Sequence, residues 1–159
     1  MDPPSASSHQ LHRRRRAVES LCLRPALAGP ALLAVGSSAL GGNTWDGEVT
    51  LLGAPSASAA ASGGSGSLPA CAPSPLLLAE LLQRDTVTAV AWAAGGGHLC
   101  VASDSGDVGV YAVPSEPARL GVTPARAVAA LEYHDDIVAC CAGVAGAPAA
   151  VVTASWDGV

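Results

Sequence analysis

One short grammar is written three times along this chain: an apolar strand ending in serine, a turn carrying glycine, and a second apolar, valine-containing strand. Residues 32–38 lead to Gly47, residues 98–103 to Gly106, and residues 149–155 to Gly158. Recurrence of this kind constrains the fold more than any single residue does. It implies similar small antiparallel units that stack on one another, because one such unit cannot bury its apolar faces alone. The three glycines are expected at one turn position, where a positive φ is needed between two strands.

The clearest unit lies in the middle of the chain. Residues 87–92 (VTAVAW) alternate as a strand, 93–97 turn, 98–103 (HLCVAS) form a second strand, 104–107 turn again, and 108–113 (VGVYAV) form a third. Residues 126–133 (RAVAALEY) supply a fourth, so the reading is an antiparallel meander. Upstream, 32–38 and 48–52 read as strands about a turn at Asn43, Thr44, Trp45, Asp46 and Gly47. Residues 76–83 (LLLAELLQ) fit a short helix or a strand, and length does not decide between them. Residues 54–75 are an Ala/Ser/Gly/Pro insertion of low complexity.

Composition removes several chemistries. All eight basic residues are arginine, so a P-loop and a pyridoxal Schiff base both lack their lysine. Aromatics are 3% and Phe is absent, so the core must be built from Ala, Val and Leu, which suits sheets packed closely face to face. By residue 30 five arginines face two acids, whereas beyond it three arginines face eleven. An acidic body argues against direct nucleic-acid binding and favours basic partners. Cys22, Cys71, Cys100, Cys140 and Cys141 make no CxxC, so reduced, buried thiols are expected rather than a zinc site or a disulfide framework.

Residues 1–17 are rich in Pro, Ser, His and Arg and read as a disordered basic tail. The run from Arg13 to Arg16 fits a solvated tail, a nuclear-import patch, an export signal or a transit peptide. Residues 25–40 are uncharged, but Pro25, Gly29, Pro30 and Gly36 interrupt them, so no membrane segment is expected.

Without the insertion and the Pro-containing loop at 114–123, the intervals between the repeated glycines approach the ~40–45 residues of a propeller blade. The middle unit, with Asp85, Val87, Val90, Trp92, Ala102, Ser103, Gly106, Val108, Val110 and Tyr111, resembles the WD40-repeat family. Two departures stand out. The terminal Trp-Asp of a repeat is replaced by Tyr111-Ala112, and Trp45-Asp46-Gly47 and Trp156-Asp157-Gly158 fall in an earlier turn. The resemblance implies an all-β, partial WD40-type propeller of two to three blades that does not close. Its parts would be a tail at 1–17, a partial first blade at 18–53, the insertion at 54–75, a second blade at 76–133 and a truncated third at 134–159. It further implies a fragment of a longer protein.

The wording of residues 31–52, 87–113 and 132–140, with "VASDSG" and "HDDIV" in that order, is similar to the branch of the family that serves as the WD-repeat subunit of the methylosome. That resemblance implies a non-enzymatic scaffold, cytoplasmic and nuclear, without cofactor or metal. It would bind a type II protein arginine methyltransferase and present Arg-rich substrates such as histones and Sm proteins. In that branch a loop of the first blade inserts an aromatic into the enzyme, and Gly42, Asn43 and Trp45 match that position. A loop-borne tryptophan is a rigid anchor of the type enriched at binding hot spots, although it could equally cover the edge of its own blade. Trp92 is expected to pack inside its blade.

His134, Asp135 and Asp136 invite a metal or acid–base reading, but one histidine with two adjacent acids lacks the further ligands that close a site. The resemblance implies instead that His134 hydrogen-bonds the aspartate of the preceding turn, a structural tie. Ser37, Ser103 and Ser155 recur at strand ends, which argues for architecture rather than for a nucleophile paired with His98 or His134. A WD-repeat scaffold with unrelated partners is the alternative, and an all-β hydrolase the remote one.

Overall fold

The computed structural model describes residues 16–25, 31–41, 43–53, 76–114 and 126–158. Among them the chain is all-β, with ten strands in three open antiparallel sheets. The first sheet runs in the order β1 (Ala17–Leu23), β2 (Leu32–Gly41), β3 (Thr44–Gly53), β4 (Leu76–Gln83). The second runs β5 (Val87–Trp92), β6 (His98–Ser103), β7 (Asp107–Ala112), β8 (Arg126–Glu132), and the third pairs β9 (Val138–Gly143) with β10 (Val151–Ser155). No described helix is long and apolar enough to cross a membrane, and the apolar stretch before Leu40 is largely β2.

Several expectations need correction. Ala17 opens β1 and pairs with Ser38, so the tail does not extend to residue 17. The rest of the expected tail, 1–15, and the insertion at 54–75 lie outside the described residues. Residues 76–83 form a strand that pairs with β3, not with the strands that follow, so the first sheet has four strands and the 76–133 grouping divides at Gln83. The pairing has a physical basis: Leu81 and Ala79 lie opposite Val49 and Leu51 and continue the apolar face of that sheet. The turn expected at 43–47 is shorter, because Thr44 and Trp45 are already paired with Gly41 and Leu40.

The sheets stack face to face, with the second in the middle. One core lies between the first and second sheets and includes Leu32, Ala34, Val49, Leu51, Val90, Trp92, Leu99 and Val101. Another lies between the second and third and holds Ala89, Cys100, Ala102, Val108 and Val138, with Cys141 and Val151 against it. Strands β5 and β6 are therefore apolar on both faces, and their burial is nearly continuous rather than alternating. The first strands of the sheets lie side by side, β5 packing against β1 on one side and β9 on the other.

Strand β5 is an edge strand; two of its backbone N–H groups are met by serines of the first sheet, and its Thr88 hydroxyl reaches the third. Val90 N donates to Ser20 Oγ at 3.1 Å and Val87 N to Ser38 Oγ at 3.1 Å, while Thr88 Oγ1 donates to Val138 O at 2.6 Å. Pairing with serines closes an edge that would otherwise attract other strands. Trp92, expected inside its blade, packs between two sheets instead. Its Nε1 donates to Cys22 O at 3.2 Å, and the Arg24 guanidinium sits 5.4 Å from its ring centroid. Arg24 is buried, donates through Nε to Gly96 O and through Nη2 to Pro114 O, and is held below its ordinary pKa by desolvation.

The described cysteines are free thiols, and Cys71 lies outside the described residues. Adjacent residues on β9 point to opposite faces, so Cys141 packs into the core whereas Cys140, expected to be buried, is exposed. Burial raises the Cys100 thiol, and it pushes Cys141 up to about 12 with help from the neighbouring thiols. A thiol with that pKa is ionised at pH 8 to only about one part in ten thousand. Brief iodoacetamide treatment at pH 8 should therefore label Cys140 and spare Cys100 and Cys141, as read by peptide mass spectrometry.

Candidate protein-interaction surface

In each sheet a side chain one to four residues before the first strand is tied to residues around the repeated glycine. Before β1, Arg16 Nη1 lies 3.2 Å from Asp46 Oδ1 and Nε lies 3.1 Å from Glu48 Oε2. Before β5, Asp85 Oδ2 accepts from Ser105 Oγ at 3.1 Å, and Ser103 Oγ lies 2.7 Å from Ser105 Oγ. Before β9, His134 Nδ1 lies 3.1 Å from Asp157 Oδ2, and Nε2 lies 2.9 Å from Thr153 Oγ1. Asp46, Ser105 and Asp157 each precede the repeated glycine, so one position carries the same task in all three units with different chemistry.

The His134 tie is closed. A carboxylate only accepts, so Nδ1 donates to Asp157, and in the neutral ring Nε2 accepts the Thr153 hydroxyl proton. The aspartate comes from the following turn, not the preceding one as expected, because the β9–β10 hairpin brings residue 157 back beside residue 134. Asp135 contributes its backbone N–H, which donates to Asp157 Oδ2 at 3.0 Å, and Asp136 Oδ1 accepts from Ile137 N. Ser155 Oγ donates to Asp136 O and Ser103 Oγ to Asp107 O, so both serines hold turns. Among the described residues no three His, Cys, Asp or Glu side chains converge as a metal site. His134→Ala removes two hydrogen bonds from a buried position and should cost about 1–3 kcal/mol in urea denaturation.

The three glycines do not share one conformation. Gly106 and Gly158 have φ of 92° and 87°, as expected of tight turns. Gly47 is a correction: it lies inside β3, paired with Ser38 and Gln83, without a positive φ. A side chain there would run into the carbonyl of Asp85, so close approach of the next sheet demands glycine instead.

In an antiparallel meander, the start of the first strand, the second-to-third connection and the end of the fourth strand share one end. The short links from β4 to β5 and from β8 to β9 keep that end common to all three sheets. Asp46, Asp85, Asp104, Asp107, Glu132, Asp135, Asp136 and Asp157 all fall there, against Arg16 and Arg84. The described connections at the opposite end contain no carboxylate. Three exposed rings share the acidic end: Trp45 (51% exposed), Tyr133 (77%) and Trp156 (71%).

Trp45 is thus not in a loop but at the start of β3, opposite Leu40, which is itself 55% exposed. Strand pairing fixes the backbone on which it sits, next to the tie between Asp46 and Arg16. Asn43 is exposed in the connection, and Gly42 lies outside the described residues. Sequence reasoning passed over Arg16, Arg24 and Ser20. Arg16 was hidden in an arginine run, and the other two act across sheets, where no local pattern marks them. Neither a scan against models of known protein families nor a search of curated proteins finds a match to this chain.

Proposed function

We propose that this chain is a non-catalytic WD40-type scaffold that binds a type II protein arginine methyltransferase and holds Arg-rich proteins for it, in the cytoplasm and nucleus. The observation that carries this reading is the gathering of eight carboxylates, of which Asp46, Asp85, Asp136 and Asp157 also hold ties within the chain, and three exposed rings on one end of the sheet stack. Carboxylates pair with guanidinium groups through charge-assisted hydrogen bonds, and ring faces take the same cation by stacking. The propeller reading is supported by repeated antiparallel meanders whose first strands β1, β5 and β9 pack beside one another. The ties of Arg16, Asp85 and His134 to residues around the repeated glycines support it too, since they repeat with the sheets.

Exposed charge pairs are screened by salt, whereas buried aromatic contacts are not. Binding of a histone-tail or Sm-type arginine peptide should weaken steeply from low to high salt, and co-purification of the methyltransferase should weaken much less. Fluorescence anisotropy for the peptide and pull-down for the enzyme read the two separately. Failure of the chain to retain the methyltransferase at either salt concentration would overturn the reading.

A further inference from the structure

We infer that the groove between the first and second sheets, where the link after β4 faces β7 and β8, seats an arginine side chain of an extended basic partner. The inference rests on the reading that this chain holds Arg-rich proteins, and it narrows the acidic end to one site. The groove has a volume of about 390 Å³, within the range of about 300–1,000 Å³ usual for ligand clefts. Its walls come from the two four-stranded sheets and the link between them, and no residue of β9 or β10 lines it.

The cleft follows from side-chain size. Along β5 and β6 the two sheets meet closely, because Val90, Trp92, Leu99 and Val101 fill the space between them. Farther out the same face of the second sheet is built from small residues. Gly109 pairs with Ala130 and Tyr111 with Ala127, and β8 is exposed along its whole length. The Tyr111 ring lies over Gly109, where any side chain would run into it, and Gln83 Nε2 donates to the Tyr111 hydroxyl at 2.9 Å. The first sheet thus holds an aromatic wall of the groove in place.

Charge complementarity names the occupant. Asp85 and Asp107 both line the groove, and Ser105 Oγ lies 3.1 Å from Asp85 Oδ2 and 3.3 Å from Asp107 Oδ2. Among the described residues nothing donates to Oδ1 of either, so each keeps an oxygen for a ligand. Glu132 stands opposite Asp107 in the ladder and adds a carboxylate on the same face. Arg84 is the cation among the lining residues, so the balance is negative. An arginine satisfies each part: its methylenes lie against Val87, Val101 and the alanines, its planar donors meet the carboxylates, and its cation meets the ring. Lysine offers a point charge without the planar fork.

The test is fluorescence anisotropy of the 159-residue chain with a labelled, short Gly-Arg repeat peptide and its citrulline and lysine counterparts. The arginine peptide should bind saturably, the lysine peptide more weakly, and the citrulline peptide, equal in shape but uncharged, not at all. Asp107→Asn should weaken arginine binding roughly tenfold. Ala130→Leu, which fills the groove and keeps every charge, should do the same, and Val128→Phe is read in its place if circular dichroism shows lost strands. Asp135→Asn makes the same charge change at the acidic end but outside the groove, and should cost about twofold or less. Equal losses for Asp107→Asn and Asp135→Asn, or full binding by the groove-filling variant, would overturn the groove while leaving the acidic end as the binding surface. Equal binding of lysine or citrulline would overturn the arginine assignment. No binding of the arginine peptide by the wild type would overturn both the groove and the reading on which it rests.

Discussion

Replacing Trp92 by alanine should lower the unfolding free energy by about 3–5 kcal/mol, the range for truncating a buried aromatic. The ring is 3% exposed and fills the space between the first two sheets, which are joined there by no shared backbone ladder. Three losses combine: the cavity, the Nε1 donation to Cys22 O, and the ring face beneath Arg24. The last leaves a buried cation with less compensation for its desolvation. Against a total stability of about 5–15 kcal/mol for a typical domain, such a loss is a large fraction of the whole. Trp92→Phe keeps most of the volume and loses the N–H donor, so it should cost about 1–2 kcal/mol. Urea titrations of both variants would contradict this packing if the alanine protein lost less than the phenylalanine one.

Trp45→Ala should behave in the opposite way, leaving stability within about 1 kcal/mol of wild type while weakening methyltransferase binding by roughly thirtyfold. A half-exposed strand residue contributes little to the core, whereas an aromatic anchor at the centre of an interface is worth about 2 kcal/mol or more, with tenfold per 1.4 kcal/mol. Leu40→Ala should give a smaller effect of the same sign, because Leu40 lies opposite Trp45 and supports its position. If Trp45→Ala unfolded the chain, the residue would be a cover for its own sheet edge and not an anchor.

The fold was legible where one strand dictates its own pattern. The alternation of 87–92 and the glycine turn at 104–107 read directly as β5 to β7, and residues 126–133 as β8. Legibility failed where the determinant is a neighbour in space. Residues 76–83 are leucine-rich and fit either helix or strand, and the tertiary choice comes from the open edge of β3. Strand β1 carries Glu19 and Ser20 among its apolar residues, and Ser20 is there to meet Val90 N of another sheet. Gly47 fits a turn glycine by alignment, yet the Asp85 carbonyl is what excludes a side chain.

The candidate surface was legible in its parts and not in its assembly. Trp45 and the turn acids stood out by type, and the repeat placed the turns in register. That all eight carboxylates and the rings of Tyr133 and Trp156 share one end follows only from the meander connectivity, which the three sheets supply together. The His134 tie was expected as architecture, but its partner on the far side of a hairpin could not be read from neighbours in sequence.

The most direct measurement is a calorimetric titration of a type II protein arginine methyltransferase into the wild-type chain and into Trp45→Ala. The account predicts saturable binding by the wild type and binding roughly thirtyfold weaker for the variant, with both proteins folded by circular dichroism. No heat of binding to the wild type, or equal affinity for the two, would contradict it.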